Sequence, residues 1–350
     1  MIRYGVVGTG WRSEFYIRIA KNCPDLFSVE KLYTRTEEKA AMLQEKFQIE
    51  AVTDFDALVG LDFVVISVIR GAFTPYVKAC MERNIPILCE TPPAETVEDL
   101  KAFYEMVKGY PIQFVEQYVE QPLYNGILKL LAENKIGEVS SINLSALHGY
   151  HGASIIKKVL QTEGMPYTIT GETVLERVIE TKDRGGDVLG GEIQEYERQR
   201  ATITFANGKR AYYDFAFPQY NSYLRTRHLN IRGTMGEIDD LTVRYINKNG
   251  IPCEVDMKRS QLGVYDNKGI SLRGIYLGEE VLFENRFAKY PMNDDEIALA
   301  TLLWKMKDFI ATGVPMYSLV DIMEDTHMAI LLEQACRIDE KISVDVVEWN

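Results

Sequence analysis

A glycine-bracketed turn placed directly behind an apolar strand restricts this chain more than any other feature. Ile2–Val7 reads as a short apolar strand, and a segment from about Glu14 to Lys21 has helical periodicity. Between them lies Gly8-Thr9-Gly10-Trp11-Arg12-Ser13. In a strand–turn–helix setting the first glycine permits the tight turn, and the second lets backbone approach an anion held at the helix N-terminus. Ser13 stands where the fingerprint has a third glycine and is small enough for close helix packing. A bare GxGxxS motif is weak; its position at the head of a βαβ unit makes it specific.

The alternation continues. Ser28–Tyr33 reads as a second strand, and a helix is expected to open at Thr34, with Glu37 completing a capping box. Phe63–Ser67 is the continuous apolar run of a parallel strand buried on both faces. Thr74–Arg83 and Val97–Val107 read as helices around a strand at Ile85–Cys89. This spacing predicts an α/β chain whose N-terminal domain, residues 1–121, is a doubly wound parallel sheet of Rossmann type. Beyond Gln121-Pro122 the pattern changes. A helix over about Leu123–Asn134, a strand at Val139–Ala146 and a helix over about Ser154–Leu160 precede longer strands at Gln199–Phe205, Lys209–Phe217, His228–Gly233 and Leu241–Asn247. Asn207-Gly208 marks a hairpin between two of them. Residues 122–350 therefore read as an α+β domain with a mainly antiparallel sheet, closed by helical segments at Asp295–Thr312 and Leu319–Ile338.

Composition excludes several classes. A net charge of −12 argues against a nucleic-acid partner, which needs a basic face to neutralise phosphates. No apolar run reaches the roughly 18 residues of a membrane span. Nothing resembling a cleavable leader precedes the first strand, and the five cysteines form no CxxC pair, so a cytoplasmic protein with free thiols and no metal site is expected. Asp239, Asp240, Asp294, Asp295 and Glu296 read as solvated charges.

The turn implies a dinucleotide, held by Gly8, Thr9, Gly10, Trp11 and Arg12. After the second strand an NAD enzyme carries an acidic residue for the ribose 2′-hydroxyl. Here the stretch is Tyr33-Thr34-Arg35-Thr36, without an acid. Arg35, with Thr34 beside it, suits a 2′-phosphate and favours NADP(H) over NAD(H); alternatively Arg35 is a solvated helix-start residue. Ser67, Arg70, Glu90 and Thr91 follow strand ends on the edge where such sheets bind ligands. Tyr118 is a candidate for lining a substrate cleft, and Lys157 for holding a substrate anion; a solvent-facing helix lysine is the plainer reading.

Over nearly its whole length the chain resembles the Gfo/Idh/MocA family of glucose–fructose oxidoreductases, inositol dehydrogenases and rhizopine catabolism proteins. The resemblance rests on Gly5-Val6-Val7-Gly8-Thr9-Gly10, Val64-Val65-Ile66-Ser67, Ile87-Leu88-Cys89-Glu90-Thr91-Pro92, Ile136-Gly137-Glu138-Val139 and Gly233-Thr234-Met235-Gly236. It implies an open-faced sheet in the second domain, a homo-oligomer (dimer or tetramer) built through that sheet, and NAD(P)-dependent chemistry at a carbinol carbon of a sugar or cyclitol. Two departures stand out. Thr91 occupies the place of the lysine in the family's Glu-Lys-Pro motif. Four residues before His151, where the family has aspartate, the chain has Leu147.

What stands there instead is Leu147-His148-Gly149-Tyr150-His151-Gly152, carrying two of only four histidines. Histidine ionises near neutral pH and suits removal of a hydroxyl proton. His151 is thus the candidate acid/base, on a turn between strand and helix, with His148 or Tyr150 orienting the substrate or relaying the proton. In the structural alternative one histidine caps the helix and the other fills a polar gap. A nicotinamide-binding sensor or regulatory partner without dehydrogenase turnover is the competing function, favoured by the missing lysine and aspartate.

Overall fold

The computed structural model describes residues 1–69, 71–263, 269–345 and 349, which form two compact units. The first comprises Met1–Asn125, Arg259–Gly274 and Phe283–Met323, and the second Gly126–Lys258, Ile275–Leu282 and Glu324–Asn350.

The first unit is built on six parallel strands: β1 (Ile2–Val7), β2 (Phe27–Tyr33), β3 (Ala51–Val52), β4 (Phe63–Ile66), β5 (Ile87–Cys89) and β6 (Ile112–Phe114). Their order is β3-β2-β1-β4-β5-β6, the doubly wound arrangement whose direction switches between β1 and β4. Helices α1 (Trp11–Asn22), α2 (Glu37–Phe47), α3 (Phe73–Glu82) and α4 (Val97–Val107) connect the strands. Every residue of β4 is buried, as a strand covered on both faces requires. Helix α2 opens two residues later than expected. Thr34 remains buried and bonds through its N–H to Val52 O, which prolongs the strand. Thr36 is the N-cap and accepts from the Lys39 N–H, while the Glu37 carboxylate is engaged by Thr53 instead of closing a box.

The remaining helices are α5 (Pro122–Ala132), α6 (Gly149–Leu160), α7 (Asp294–Thr312) and α8 (Leu319–Ile338). Helix α7, counted with the second domain in the sequence, folds into the first unit. Ile297, Leu299, Leu303 and Met306 share one core with Phe15, Ile19 and Phe27. A capping box between Asn293 and Glu296 starts α7, and Gly313 at φ 73° ends it. Glu296 is buried and pairs with Arg18 at 2.8 Å, so it is not the solvated charge expected.

The second sheet has eleven strands: β7 (Val139–Ser145), β8 (Tyr167–Ile179), β9 (Ile193–Phe205), β10 (Arg210–Ala216), β11 (His228–Gly233), β12 (Gly236–Asp239), β13 (Thr242–Ile246), β14 (Pro252–Leu262), β15 (Ser271–Leu277), β16 (Glu280–Glu284) and β17 (Ile342–Val344). Their order is β16-β15-β14-β13-β12-β11-β7-β10-β9-β8-β17, with β7 and β10 parallel and the other registered pairs antiparallel. The expected hairpin at Asn207-Gly208 joins β9 to β10, with Gly208 at φ 86°.

Candidate functional site

The switch point of the first sheet brings the ends of β1 and β4 together. Gly8 has φ 121°, and a Cβ there would be driven into the carbonyl oxygen of Ser67. Ser67 N–H bonds to Val7 O at 2.8 Å, and Ser13 Oγ donates to Ser67 O at 3.2 Å. The turn is therefore seated on the end of β4, and only glycine fits its first position. Gly10 differs: it is the N-cap of α1, no side chain caps it, and a Cβ there would meet nothing within 4 Å. A helix N-terminus facing open space fits the pyrophosphate of a dinucleotide. Arg35 is exposed beyond β2, and no carboxylate lies within ion-pair distance of it among the described residues. Arg70 lies outside the described residues.

Glu90 follows β5, with its N–H bonded to Ile66 O, and is buried. Its Oε1 accepts from Tyr16 Oη at 2.5 Å and lies 3.3 Å from Arg12 Nε. Burial pushes the Glu90 carboxyl above its usual range; the Arg12 guanidinium and the Tyr16 hydroxyl oppose that rise without cancelling it. Gln117 accepts from Arg12 Nη2 at 2.8 Å. The expected residues Arg12 and Glu90 thus meet. The sequence reading missed Tyr16 and Gln117, although Arg12 and Tyr16, four apart on α1, share a helix face. Thr91 is buried and donates to Val115 O at 3.0 Å, so its hydroxyl is tied to backbone rather than offered as the acid that a lysine would supply. Trp11 is largely exposed on the first turn, and Tyr118 is buried in the 3₁₀ turn Gln117–Glu120.

In the second unit the histidine segment is the first turn of α6 rather than a turn ahead of it. His148 is the N-cap, with φ −82°, and Gly149 takes φ 40°. Gly152 lets the Tyr213 ring lie against this turn, since a Cβ at Gly152 would stand 2.9 Å from that ring. The Tyr213 hydroxyl accepts from the Gly149 N–H at 3.0 Å. The ring of His148 lies 5.0 Å from that of His151 and 5.1 Å from that of Tyr150, both nearly perpendicular. The Tyr150 and His151 rings are 4.2 Å apart. His151 is only 3% exposed, whereas His148 and Tyr150 are half-buried. All three expected residues therefore form one cluster.

Lys157 does not serve as expected. In the third turn of α6 it faces inward, where it is 2% exposed and its Nζ sits 2.9 Å from Glu324 Oε2 and 2.8 Å from Asp325 Oδ1. An ammonium enclosed by two carboxylates of its own fold is not offered to a substrate anion. No cluster of three or more His, Cys, Asp or Glu placed to hold a metal ion occurs among the described residues. Nor, among them, is any helix long and apolar enough to cross a membrane.

A parallel sheet with a glycine turn at its switch point defines a dinucleotide-binding Rossmann domain. Residues 2–118 match the model of the Gfo/Idh/MocA family, described as an oxidoreductase family with an NAD-binding Rossmann fold. No curated protein matches the chain significantly. Among solved structures, levoglucosan dehydrogenase in complex with NADH is 15% identical, with a TM-score of 0.69 and 99% of both chains covered. An oxidoreductase from Agrobacterium radiobacter in complex with NAD+, L-tartaric acid and magnesium is 17% identical, with a TM-score of 0.68, covering 97% of this chain and 98% of that one. A putative myo-inositol dehydrogenase from Sinorhizobium meliloti 1021 is 14% identical, with a TM-score of 0.65, covering 98% of this chain and all of that one. At these identities the likeness is one of fold, and it extends through both units.

Proposed function

We propose that this protein is an NAD(P)-dependent oxidoreductase that moves a hydride to or from a carbinol carbon of a sugar-like or polyhydroxylated substrate, with His151 as the acid/base. The observation that carries this reading is the Gly8–Ser13 turn seated on Ser67, with open space in front of Gly10. The inositol and levoglucosan dehydrogenases of like fold suggest the substrate class. Gly8, Thr9, Gly10, Trp11 and Arg12 hold the pyrophosphate side, Thr34 and Arg35 the adenosine ribose, and Ser67, Glu90 and Thr91 the edge beyond. A bound nicotinamide dinucleotide supplies the hydride acceptor, or in reverse the donor.

His151 takes the hydroxyl proton as the O–H bond breaks and the carbonyl forms, and returns it in the reverse direction. His148 and Tyr150, both packed on its ring, orient the substrate or pass the proton outward. His151→Ala should lower kcat by at least about a hundredfold, the lower end for a lost general base, while nicotinamide binding persists. The measurement is absorbance-monitored turnover over a panel of cyclitols and pyranoses that includes myo-inositol and levoglucosan. Unchanged turnover in this variant would sink the assignment. Nicotinamide binding without turnover of any panel member by the wild type would favour a sensor.

NADP(H) is the preferred form in this reading. Replacing Arg35 with Ala should weaken NADPH binding about ten- to a hundredfold, as the loss of charge-assisted hydrogen bonds implies, and leave NADH nearly unaffected. Nicotinamide fluorescence titrations measure both, and equal affinities in the wild type would discard the phosphate role. The protein further assembles as a homodimer or tetramer through the second sheet, whose open face presents Thr170, Glu172, Arg200, Thr202, Tyr212 and Asp214.

A further inference from the structure

The histidine cluster has a neighbour that no local motif announces. Phe217–Tyr220 is a 3₁₀ turn following β10, and its Gln219 is fixed by several bonds. The two hydrogens of the Gln219 amide nitrogen are shared among Ser145 O, Ser145 Oγ and Thr226 O, each 2.9 Å away, and its oxygen accepts from the Ala216 N–H at 2.8 Å. The side chain next to it, Tyr220, is held in turn. Its hydroxyl lies 3.1 Å from the His148 backbone nitrogen, from which it accepts, and 2.7 Å from His148 Nδ1. The Arg227 guanidinium lies over its ring at 4.7 Å.

A phenol has one hydrogen and two lone pairs. With one lone pair taken by the backbone N–H, the hydroxyl hydrogen is directed away from that nitrogen, and Nδ1 at 2.7 Å is placed to accept it. A neutral imidazole that accepts at Nδ1 carries its own proton at Nε2. We propose that Tyr220 is a positioning residue that fixes His148, a member of the His151 cluster, as its Nε2–H tautomer. This rests on the reading of the α6 turn as the acid/base, and it adds a residue from outside that turn. Around His148 lie Tyr150 and His151 on its own helix, Phe215 from β10 and Tyr220, with Arg227 behind the last and the Tyr213 hydroxyl on the adjacent Gly149 N–H.

The test begins without cofactor or substrate. With four histidines in the chain, imidazole nitrogen NMR of the wild type resolves the tautomers, and the signal missing in His148→Ala identifies His148. The expected result is an Nε2–H form of His148 in the wild type, replaced in Tyr220→Phe by a mixture of tautomers with an altered titration midpoint. Turnover of the panel polyol by Tyr220→Phe should then fall about tenfold in kcat with little change in KM, the size expected for one positioning hydrogen bond. A proton on Nδ1 of His148 in the wild type overturns the proposal. So does a His148 titration that Tyr220→Phe leaves unaltered. Both results leave the role of His151 standing. An expected tautomer with full Tyr220→Phe activity, while His151→Ala is inactive, also overturns the positioning role alone. Full activity in both variants removes the acid/base reading and this proposal together.

Discussion

Gly8→Ala abolishes nicotinamide-nucleotide binding and destabilises the first unit, whereas Gly10→Ala impairs binding alone. The contrast follows from what each added methyl meets. At Gly8 the backbone is at φ 121°, where L side chains cost roughly 1–3 kcal/mol before any contact is counted. The methyl would also be driven into the Ser67 carbonyl group. That carbonyl belongs to backbone bonded back to Val7, so it cannot swing aside without opening the β1–β4 pair. At Gly10 φ is −82°, ordinary for alanine, and the methyl enters open space. Its effect on stability should stay within about 0.5 kcal/mol, like other exposed changes, while affinity falls at least about tenfold because the methyl fills the approach to the helix N-terminus. Thermal unfolding and nicotinamide fluorescence, run on both variants, separate the two effects. Wild-type affinity in Gly10→Ala would mean that no pyrophosphate approaches there.

Lys157→Met should destabilise the second unit by about 3–5 kcal/mol, because it leaves two carboxylates buried without their cation. Glu324 and Asp325 are 7% and 1% exposed. Burial works to lower the Lys157 pKa, but Asp325 and Glu324 outweigh it and hold the ammonium above its usual value. A cation whose folded pKa is raised contributes its full stability below the unfolded value, about 10.4 for lysine, and loses it as pH rises through the folded pKa. Wild-type stability should therefore decline in the alkaline range above about 10.4 more steeply than that of Lys157→Met, since the Tyr167, Tyr213 and Cys336 groups, also raised by burial, lose stability there in both. Urea unfolding at pH 7 and through that range reads both effects. Equal urea midpoints for wild type and variant at pH 7 would show that the cluster contributes nothing.

The parts of the fold legible in the sequence were those that local physics decides. The β4 run of Phe63, Val64, Val65 and Ile66 announces a strand buried on both faces, and Asn207-Gly208 announces its hairpin. Strand β8 was not legible: its outer half is exposed or half-buried except at Val178, so no apolar alternation marks it. Helix α7 was legible as a helix but not as part of the first unit, because its residues are apolar nearly all round and do not name their partner. Lys157 was misjudged for the same reason. Helical spacing says that a lysine recurs on a face, and the carboxylates that enclose it arrive from 167 and 168 residues along the chain.

For the site, Gly8 was legible because the requirement for no side chain is written in the residue type itself. The histidine segment was legible as a cluster and misplaced as structure: the first turn of α6 carries it, with His148 at the N-cap. The sequence by itself determined a dinucleotide-binding strand–turn–helix and two histidines within one helical turn, since both depend on neighbours a few residues apart. Only the tertiary structure decided that Ser67 closes the glycine turn, that Tyr16 and Arg12 meet Glu90, and that Tyr220 reaches His148. Those contacts join residues 54 to 78 positions apart, and hydrogen bonds at such separations are chosen by how strands and helices stack, which no local pattern encodes.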